Sequence, residues 1–251
     1  MTREQVKRAL NYLMFLKRKR CGKIKGQGCA GGRPQREFIS RDEASSPTVN
    51  LHALFLTAIQ DTIEDRDVAT VDIPSAFLQT EMPDDEPPVH IRLTGQMVDL
   101  LCKIDPALYT SHVITNKRGV KILYAKANKA IYGTLNAAVL FWKKLSSKFK
   151  EWGFIANPYD NFTVNKMIDG HQATIIWHVD DLKISHKFPD VVTKIIRDLA
   201  EEFGKEAPLT VRRKKKHEYL GMTLDYSAKG KVKFTMYDYL EDVIATLPKE
   251  L

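Results

Sequence analysis

Three aspartates at the ends of two apolar runs are the side chains of this chain best placed to do chemistry. Asp72 lies in Val71-Asp72-Ile73-Pro74-Ser75-Ala76-Phe77, and Asp180 and Asp181 close the run Ile176-Trp177-His178-Val179-Asp180-Asp181. Each cluster stands where strand-like residues give way to a turn. Three carboxylates converging from two strands can hold a pair of divalent ions, and two such ions clamp the attacking and leaving oxygens of a phosphoryl transfer. Adjacent aspartates in a turn also occur for local reasons, because Asp tolerates turn dihedrals and accepts bonds from nearby N–H groups. The run Thr174–Val179 argues for chemistry. It is too apolar for an exposed hairpin, so it sets the acidic turn at the rim of a buried sheet. Like charges repel there, and a divalent cation relieves them.

Strand composition surrounds both clusters. Residues 68–73 have strand character, and Ala173–Val179 leads into the aspartates while Lys183–His186 leads away, which predicts a hairpin with the acidic pair at its turn. Thr48 is the expected cap of a helix whose Leu51, Leu54, Phe55, Ala58 and Ile59 share one face. Val89, Ile91 and Leu93 alternate with His90 and Arg92 as a half-buried strand. Tyr124 belongs to another strand after the turn at Asn116-Lys117-Arg118-Gly119, and the rest of 95–130 shows no clear period. Two helices are well marked. One runs from Ala137 with Ala138, Trp142, Leu145, Phe149 and Trp152 on one side and Gly153 past its end. The other runs from Asp190 with Val191, Val192, Ile195, Leu199 and Phe203 inward and Gly204 as its stop. Residues 219–226 and 231–235 are expected to form a hairpin around Ala228-Lys229-Gly230. Antiparallel hairpins with helices packed on one face make an α+β pattern, not a doubly wound one.

The chain has 251 residues, 43% of them hydrophobic, and a net charge of +8, so a sizeable core is within reach. Its charge is uneven. Residues 1–40 hold eleven Lys/Arg and two Asp/Glu, a net +9 that leaves −1 for the remainder. A concentrated basic segment is the footprint of phosphate contact, and its bland counterpart is a solvated terminus. Residues 17–36, rich in Lys, Arg and Gly, read as a basic loop or hairpin. Arg212-Arg213-Lys214-Lys215-Lys216 and the helix lysines Lys143, Lys144, Lys148 and Lys150 either meet phosphates or make solvated faces. Such contacts position a nucleic acid without reading its bases. Acidic clusters within a basic chain suit a polyanionic substrate, and a nucleic-acid polymerase is the reading they favour. Cys21, Cys29 and Cys102 include no C-x-x-C pair, so neither a disulfide framework nor a zinc site is indicated, and a reduced intracellular compartment is expected. No apolar run approaches the roughly 18–20 residues of a membrane span. Residues 9–16 are followed by Lys-Arg-Lys-Arg and no small-residue cleavage site, which rejects a signal peptide.

Four blocks, in order, resemble the reverse transcriptases of copia-type retrotransposons. Val71-Asp72-Ile73-Pro74-Ser75-Ala76-Phe77-Leu78 resembles their D-x-x-x-A-F-L block, and Ala130-Ile131-Tyr132-Gly133-Thr134-Leu135-Asn136-Ala137-Ala138 is similar to L-Y-G-L-K-Q-A-P. Trp177-His178-Val179-Asp180-Asp181 resembles Y-V-D-D, and Tyr219-Leu220-Gly221-Met222 resembles F-L-G-[IM]. The stretch Glu43–Val49 is similar to their F-S-P-V segment. The resemblance implies a right-hand polymerase with an antiparallel palm sheet packed on helices and a truncated thumb. It divides the chain into a basic fingers segment at 1–70, the first palm strand at 71–94, a fingers insert at 95–130, palm at 131–226, and palm end with the start of a thumb at 227–251.

It also implies roles. Asp72, Asp180 and Asp181 are the catalytic triad and, with the Ile73 carbonyl, the ligands of two Mg²⁺ ions, Mn²⁺ being a substitute. Lys25, Arg33, Phe77 and Asn136 face the dNTP, Phe77 as the steric gate against a ribose 2′-OH. Taken without the aspartate, Phe77 reads as a core phenylalanine. His178, Leu220, Gly221, Met222, Arg212, Arg213 and Lys214 face primer and template. The implied partners are an RNA template, a DNA or tRNA primer and dNTP, with no membrane. A longer Pol polyprotein with ribonuclease H and integrase is expected, although neither segment is found here. The implied location is a cytoplasmic virus-like particle, or the nucleus. Three departures stand out: His178 replaces the usual Tyr, Asn136 the usual Gln, and Ala138 the usual Pro. They motivate a second reading, a catalytically decayed nucleic-acid-binding remnant. A two-metal nuclease is a third, for which no water-activating residue is evident.

Overall fold

The computed structural model describes residues 1–18, 22–40, 50–84 and 87–247. The Glu43–Val49 stretch, the expected cap Thr48 and Cys21 therefore lie outside the described residues. In chain order the main elements are α1 (Arg3–Arg8), β1 (Leu10–Arg18), β2 (Ile24–Ala30), α2 (Leu51–Ile63), β3 (Asp67–Asp72), β4 (His90–Thr94), α3 (Gln96–Ile104), β5 (Ile114–Thr115), β6 (Lys121–Lys126), α4 (Ala137–Glu151), β7 (Ile155–Asn157), β8 (Asp160–Ile168), β9 (His171–His178), β10 (Asp181–His186), α5 (Pro189–Phe203), β11 (Thr210–Arg212), β12 (Lys216–Tyr219), β13 (Met222–Asp225), β14 (Lys233–Thr235) and α6 (Tyr237–Thr246). The class is α+β, as the mixed pattern of hairpins and helices predicts. Among the described residues no helix is long and apolar enough to cross a membrane.

The chain forms two units, one of Met1–Ser46 with Phe77–Lys144 and one of Pro47–Ala76 with Leu145–Leu251. The sequence had grouped β4 with the strand of Asp72 and α2 with the basic segment. Contacts instead put β4 in the first unit and α2 in the second. The first unit is built on a five-stranded sheet of order β2-β1-β4-β6-β5. All its pairs are antiparallel except β1 with β4. Within the basic segment at 17–36, Lys17 and Arg18 pair with Lys25 and Ile24 in the antiparallel β1–β2 ladder. Leu10, Ala30, Ile91, Leu93, Val98 and Leu123 make the core beneath, with Tyr12, Met97, Leu101 and Ile131 packed around it. Val98 and Leu101 come from α3, in the stretch whose period was unreadable. Gly133 closes this unit. Ala30 N donates to Tyr132 O at 2.6 Å, and a Cβ on Gly133, at φ +91°, would lie 2.0 Å from Ala30 O. Only glycine fits so close a backbone approach.

The second unit carries a six-stranded antiparallel sheet of order β11-β3-β10-β9-β8-β7 and a three-stranded sheet of order β12-β13-β14. Residues opposite one another on paired strands share a face, and the face alternates along each strand. Val71, Leu182 and Trp177 share one face. There Trp177 meets Phe149 of α4 at 5.3 Å between ring centroids and Phe162 of β8 at 5.4 Å. Val192, Ile195, Leu199 and Phe203 of α5 are buried as their spacing predicts. The opposite face is covered by α2, whose Asp61 pairs with Lys183 of β10. Helices therefore lie on both faces, a correction to the one-sided packing expected. The cap of α2 is Asn50, whose Oδ1 accepts from His52 N at 2.9 Å. Residues 219–226 are not one strand: Leu220 (φ +52°) and Gly221 (φ +74°) turn the chain, and Tyr219 pairs with Met222. Two consecutive positive φ values match the twist of a two-residue hairpin.

Candidate active site

A row of four residues crosses the rim of the large sheet. His178 of β9 is the register partner of Asp181 of β10, Asp181 of Asp72 of β3, and Asp72 of Thr210 of β11. Direct partners present their side chains on one face, so Asp72 and Asp181 share it. Asp180 occupies the turn beside them, and its carbonyl accepts from Ile73 N at 2.9 Å. That bond ties the acidic turn to the residue after Asp72. The loop between His178 and Asp181 is two residues long, and the positive φ in it, +57°, belongs to Val179 and not to Asp180. A β-branched side chain in the left-handed region is an outlier costing about 1–3 kcal/mol. Such a conformation persists only where surrounding structure enforces it.

Of the three carboxylates, Asp181 carries the electrostatic effect of the other two. Burial raises the Asp181 carboxyl to about 6, the charges of Asp180 and Asp72 push it the same way, and Arg212 of β11 opposes them. Among the described residues no three His, Cys, Asp or Glu side chains are gathered tightly enough to form a ready-made metal cage. Their relation is one of register and charge. The donor set nevertheless fits a hard divalent cation: all are carboxylate oxygens, and a cation would offset the repulsion felt by Asp181. His178, in the same row, has its Nδ1 buried without a hydrogen-bond partner.

The basic residues named from sequence part company here. Arg212 is the partner of Thr70, two positions from Asp72 on the same face. Arg213 is committed internally. Its Nε and Nη2 donate to Asp67 Oδ2 at 2.7 and 2.6 Å, Nη2 also to Pro189 O at 2.6 Å, and Nη1 to Thr193 Oγ1 at 2.7 Å. It clamps the start of β3 to the start of α5, where the sequence had given it the same part as its neighbours. Lys214 is exposed. Leu220-Gly221-Met222 forms the turn and first residue after Tyr219, whose hydroxyl reaches Asp181 O at 3.3 Å. Tyr219 went unnoticed in the sequence as a contact of the acidic turn.

The remaining candidates belong to the first unit. Lys25 stands directly opposite Lys17 across the β1–β2 hairpin. Like charges in that position repel, so an anion between them is favoured. Arg33 is exposed at the start of a short 3₁₀ turn, Arg33–Glu37. Asn136 is buried just before α4. Phe77 is only 9% exposed, because the ring of Tyr132 lies 4.4 Å from its own and that of Phe141 6.3 Å away. The Tyr-Gly pair of the second block thus backs the aromatic of the first, a role for Tyr132 that only the fold reveals.

The chain matches the family model described as reverse transcriptase (RNA-dependent DNA polymerase) over residues 5–248, and it belongs to that family. None of the curated proteins compared with it matches. Among solved structures it is similar to a foamy viral protease–reverse transcriptase in complex with double-stranded DNA, at 14% identity and TM-score 0.47, covering 95% of this chain and 33% of that one. It is also similar to apo telomerase from Candida tropicalis truncated from its C-terminal domain, at 11% identity, TM-score 0.46, and coverage of 90% and 55%. Telomerase from Candida albicans, in complex with a fragment of telomeric RNA, gives 10%, 0.47, 94% and 48%. The chain thus spans between a third and just over half of the length of these structures.

Proposed function

We propose that this chain is the fingers and palm of a copia-type retrotransposon polymerase, adding dNTPs to a primer 3′-OH on an RNA template. The observation that carries this is the register pairing of Asp72 with Asp181, with Asp180 bonded into the same rim through Ile73. Family membership supports the reaction class. Asp72, Asp180, Asp181 and the Ile73 carbonyl are the groups that would hold Mg²⁺. Bound there, two ions supply the charge that activates the primer hydroxyl and neutralises the departing pyrophosphate. The chain's own side chains do the positioning. Arg212 and Lys214 neutralise primer–template phosphates, and Leu220-Gly221-Met222 supports the primer beside His178. Lys25 and Arg33 grip the triphosphate, Asn136 lies by the incoming nucleotide, and Phe77 excludes a 2′-OH. In this reading the chain works within a Pol polyprotein, with ribonuclease H and integrase as neighbours, in a cytoplasmic virus-like particle or the nucleus.

A second reading, a nucleic-acid-binding remnant without catalysis, is favoured by His178, Asn136 and Ala138 standing where the related blocks carry Tyr, Gln and Pro. Extension of a primed RNA template by the purified protein, with Asp180→Asn beside it, separates the two. Mg²⁺-dependent incorporation that is lost in Asp180→Asn supports the polymerase. Salt-sensitive binding with no incorporation supports the remnant. Full activity in Asp180→Asn removes the catalytic assignment.

A further inference from the structure

Tyr219 ends β12 and is 3% exposed. Its hydroxyl lies 3.3 Å from Asp181 O and 3.4 Å from Ile176 O, donating across two carbonyls of the paired strands β10 and β9. Those strands frame the Val179-Asp180 turn. A buried tyrosine needs a partner for its O–H, and these carbonyls supply it. The related block has phenylalanine at this position, so the ring alone fills the space and the hydroxyl is an addition.

The strand that presents Tyr219 is fixed independently of this bond. The Leu220-Gly221 turn sets Tyr219 against Met222. His217, two residues earlier, has Nδ1 3.4 Å from Thr70 Oγ1 on β3. Tyr226, beyond β13, donates to Asp61 Oδ2 at 3.2 Å, the carboxylate that also holds Lys183. The small sheet thus reaches the large one at two polar points, and the residue after β13 reaches the covering helix α2 at a third. The Tyr219 contact is made to the backbone of an acidic residue, beside a turn whose Val179 has a conformation that needs enforcing.

We propose that Tyr219 is a positioning residue for the acidic turn. Its hydroxyl holds the Asp181 carbonyl, and through it keeps Asp180 and Asp181 in place against Asp72. The proposal deepens the polymerase reading and rests on it for its kinetic consequence, although the bond itself does not depend on catalysis.

Wild type, Tyr219→Phe and Tyr226→Phe are compared in single-nucleotide incorporation on a primed RNA template and in amide hydrogen exchange of residues 178–182. Loss of one buried hydrogen bond predicts a maximal incorporation rate in Tyr219→Phe about 3- to 10-fold lower, with KM for dNTP and Kd for primer–template unchanged. Exchange at residues 178–182 rises by a similar factor. Tyr226→Phe lowers the melting temperature and leaves both the rate and the turn's exchange at wild-type values. A Tyr219→Phe protein with wild-type rate and exchange overturns the proposal, as does one whose changes merely repeat those of Tyr226→Phe. Should wild type incorporate nothing, the polymerase reading fails by itself. The exchange comparison then decides whether Tyr219 holds the turn.

Discussion

Lys183 Nζ lies 2.5 Å from Asp61 Oδ2, and both side chains are sealed from solvent. The pair joins β10, two residues beyond Asp181, to the helix α2 that covers this face of the sheet. Asp61 Oδ2 also accepts from Tyr226 OH, while Oδ1 has no hydrogen-bond partner. Removing two charges from water costs several kcal/mol per ion, and geometry repays that only while both partners are present. Lys183→Met alone is therefore expected to destabilise the protein by about 3–5 kcal/mol, because it strands a buried carboxylate. Lys183→Met with Asp61→Leu is expected to recover most of that loss. Urea unfolding of the single and double variants checks it, and a double variant no better than the single contradicts the account.

His217 gives stability a pH dependence. It is 1% exposed, and burial lowers its pKa below 6.5, with the Lys183 charge acting in the same direction. The Lys214 backbone, Asp61 and Asp67 pull the other way without cancelling the effect. The folded state thus keeps His217 neutral where the unfolded chain has already bound a proton. Stability rises with pH wherever the unfolded state binds more protons. The His217 contribution weakens as pH falls through 6.5, while Asp181, its carboxyl raised to about 6, contributes with the opposite sign over the same range. Over pH 7.5 to 5.5 wild type should lose stability relative to His217→Gln, read as the difference between their urea midpoints, so parallel curves would exclude His217 as a contributor.

Much of this frame is readable from residue periods. The apolar run before Asp180-Asp181 and the strand ending at Asp72 emerge with the aspartates at their ends, because alternation and β-branched composition are local signals. Register is not local. Nothing in either segment says that Asp181 faces Asp72 rather than Ile73, yet a slip of one residue would turn a carboxylate to the other face. Chain reversal at Leu220-Gly221 was hidden because only the glycine advertises a positive φ. Lys183 did carry a signal, a lone lysine inside Leu182-Lys183-Ile184, which a buried strand tolerates only with a partner. That partner lies 122 positions earlier, at Asp61, beyond the reach of any period.

Arg213 and its neighbours should separate by experiment. The guanidinium of Arg213 bonds Asp67, Thr193 and Pro189 and stays about a third exposed. Arg213→Ala is expected to cost about 1–2 kcal/mol of stability, discounted for solvent screening, and to leave nucleic-acid affinity unchanged. Arg212→Ala and Lys214→Ala should each weaken primer–template binding and reduce the slope of log K against log salt by about one, with little change in stability. Titrations across a salt series, run beside thermal melts, distinguish the two behaviours. An Arg213→Ala protein with normal stability and a shallower slope would return Arg213 to the nucleic-acid face.

Phe77 and Tyr132 make the final pair. Their ring centroids are 4.4 Å apart, and Phe77 is nearly covered. Aromatic contacts of this kind contribute about 0.5–1.5 kcal/mol beyond buried area, enough to hold one ring in a single rotamer. If Phe77 rejects a ribose 2′-OH, it does so as a ring held from behind. Phe77→Ala should then raise incorporation of rNTP relative to dNTP by about tenfold or more, a change in a steric pocket of the usual size. Tyr132→Ala should relax the same discrimination by a smaller factor, and Tyr132→Phe, which keeps the ring, should leave it unchanged. Ratios of kcat/KM for matched rNTP and dNTP measure all three. Unaltered discrimination in Phe77→Ala would leave Phe77 as a packing residue, with Tyr132 its neighbour in the core.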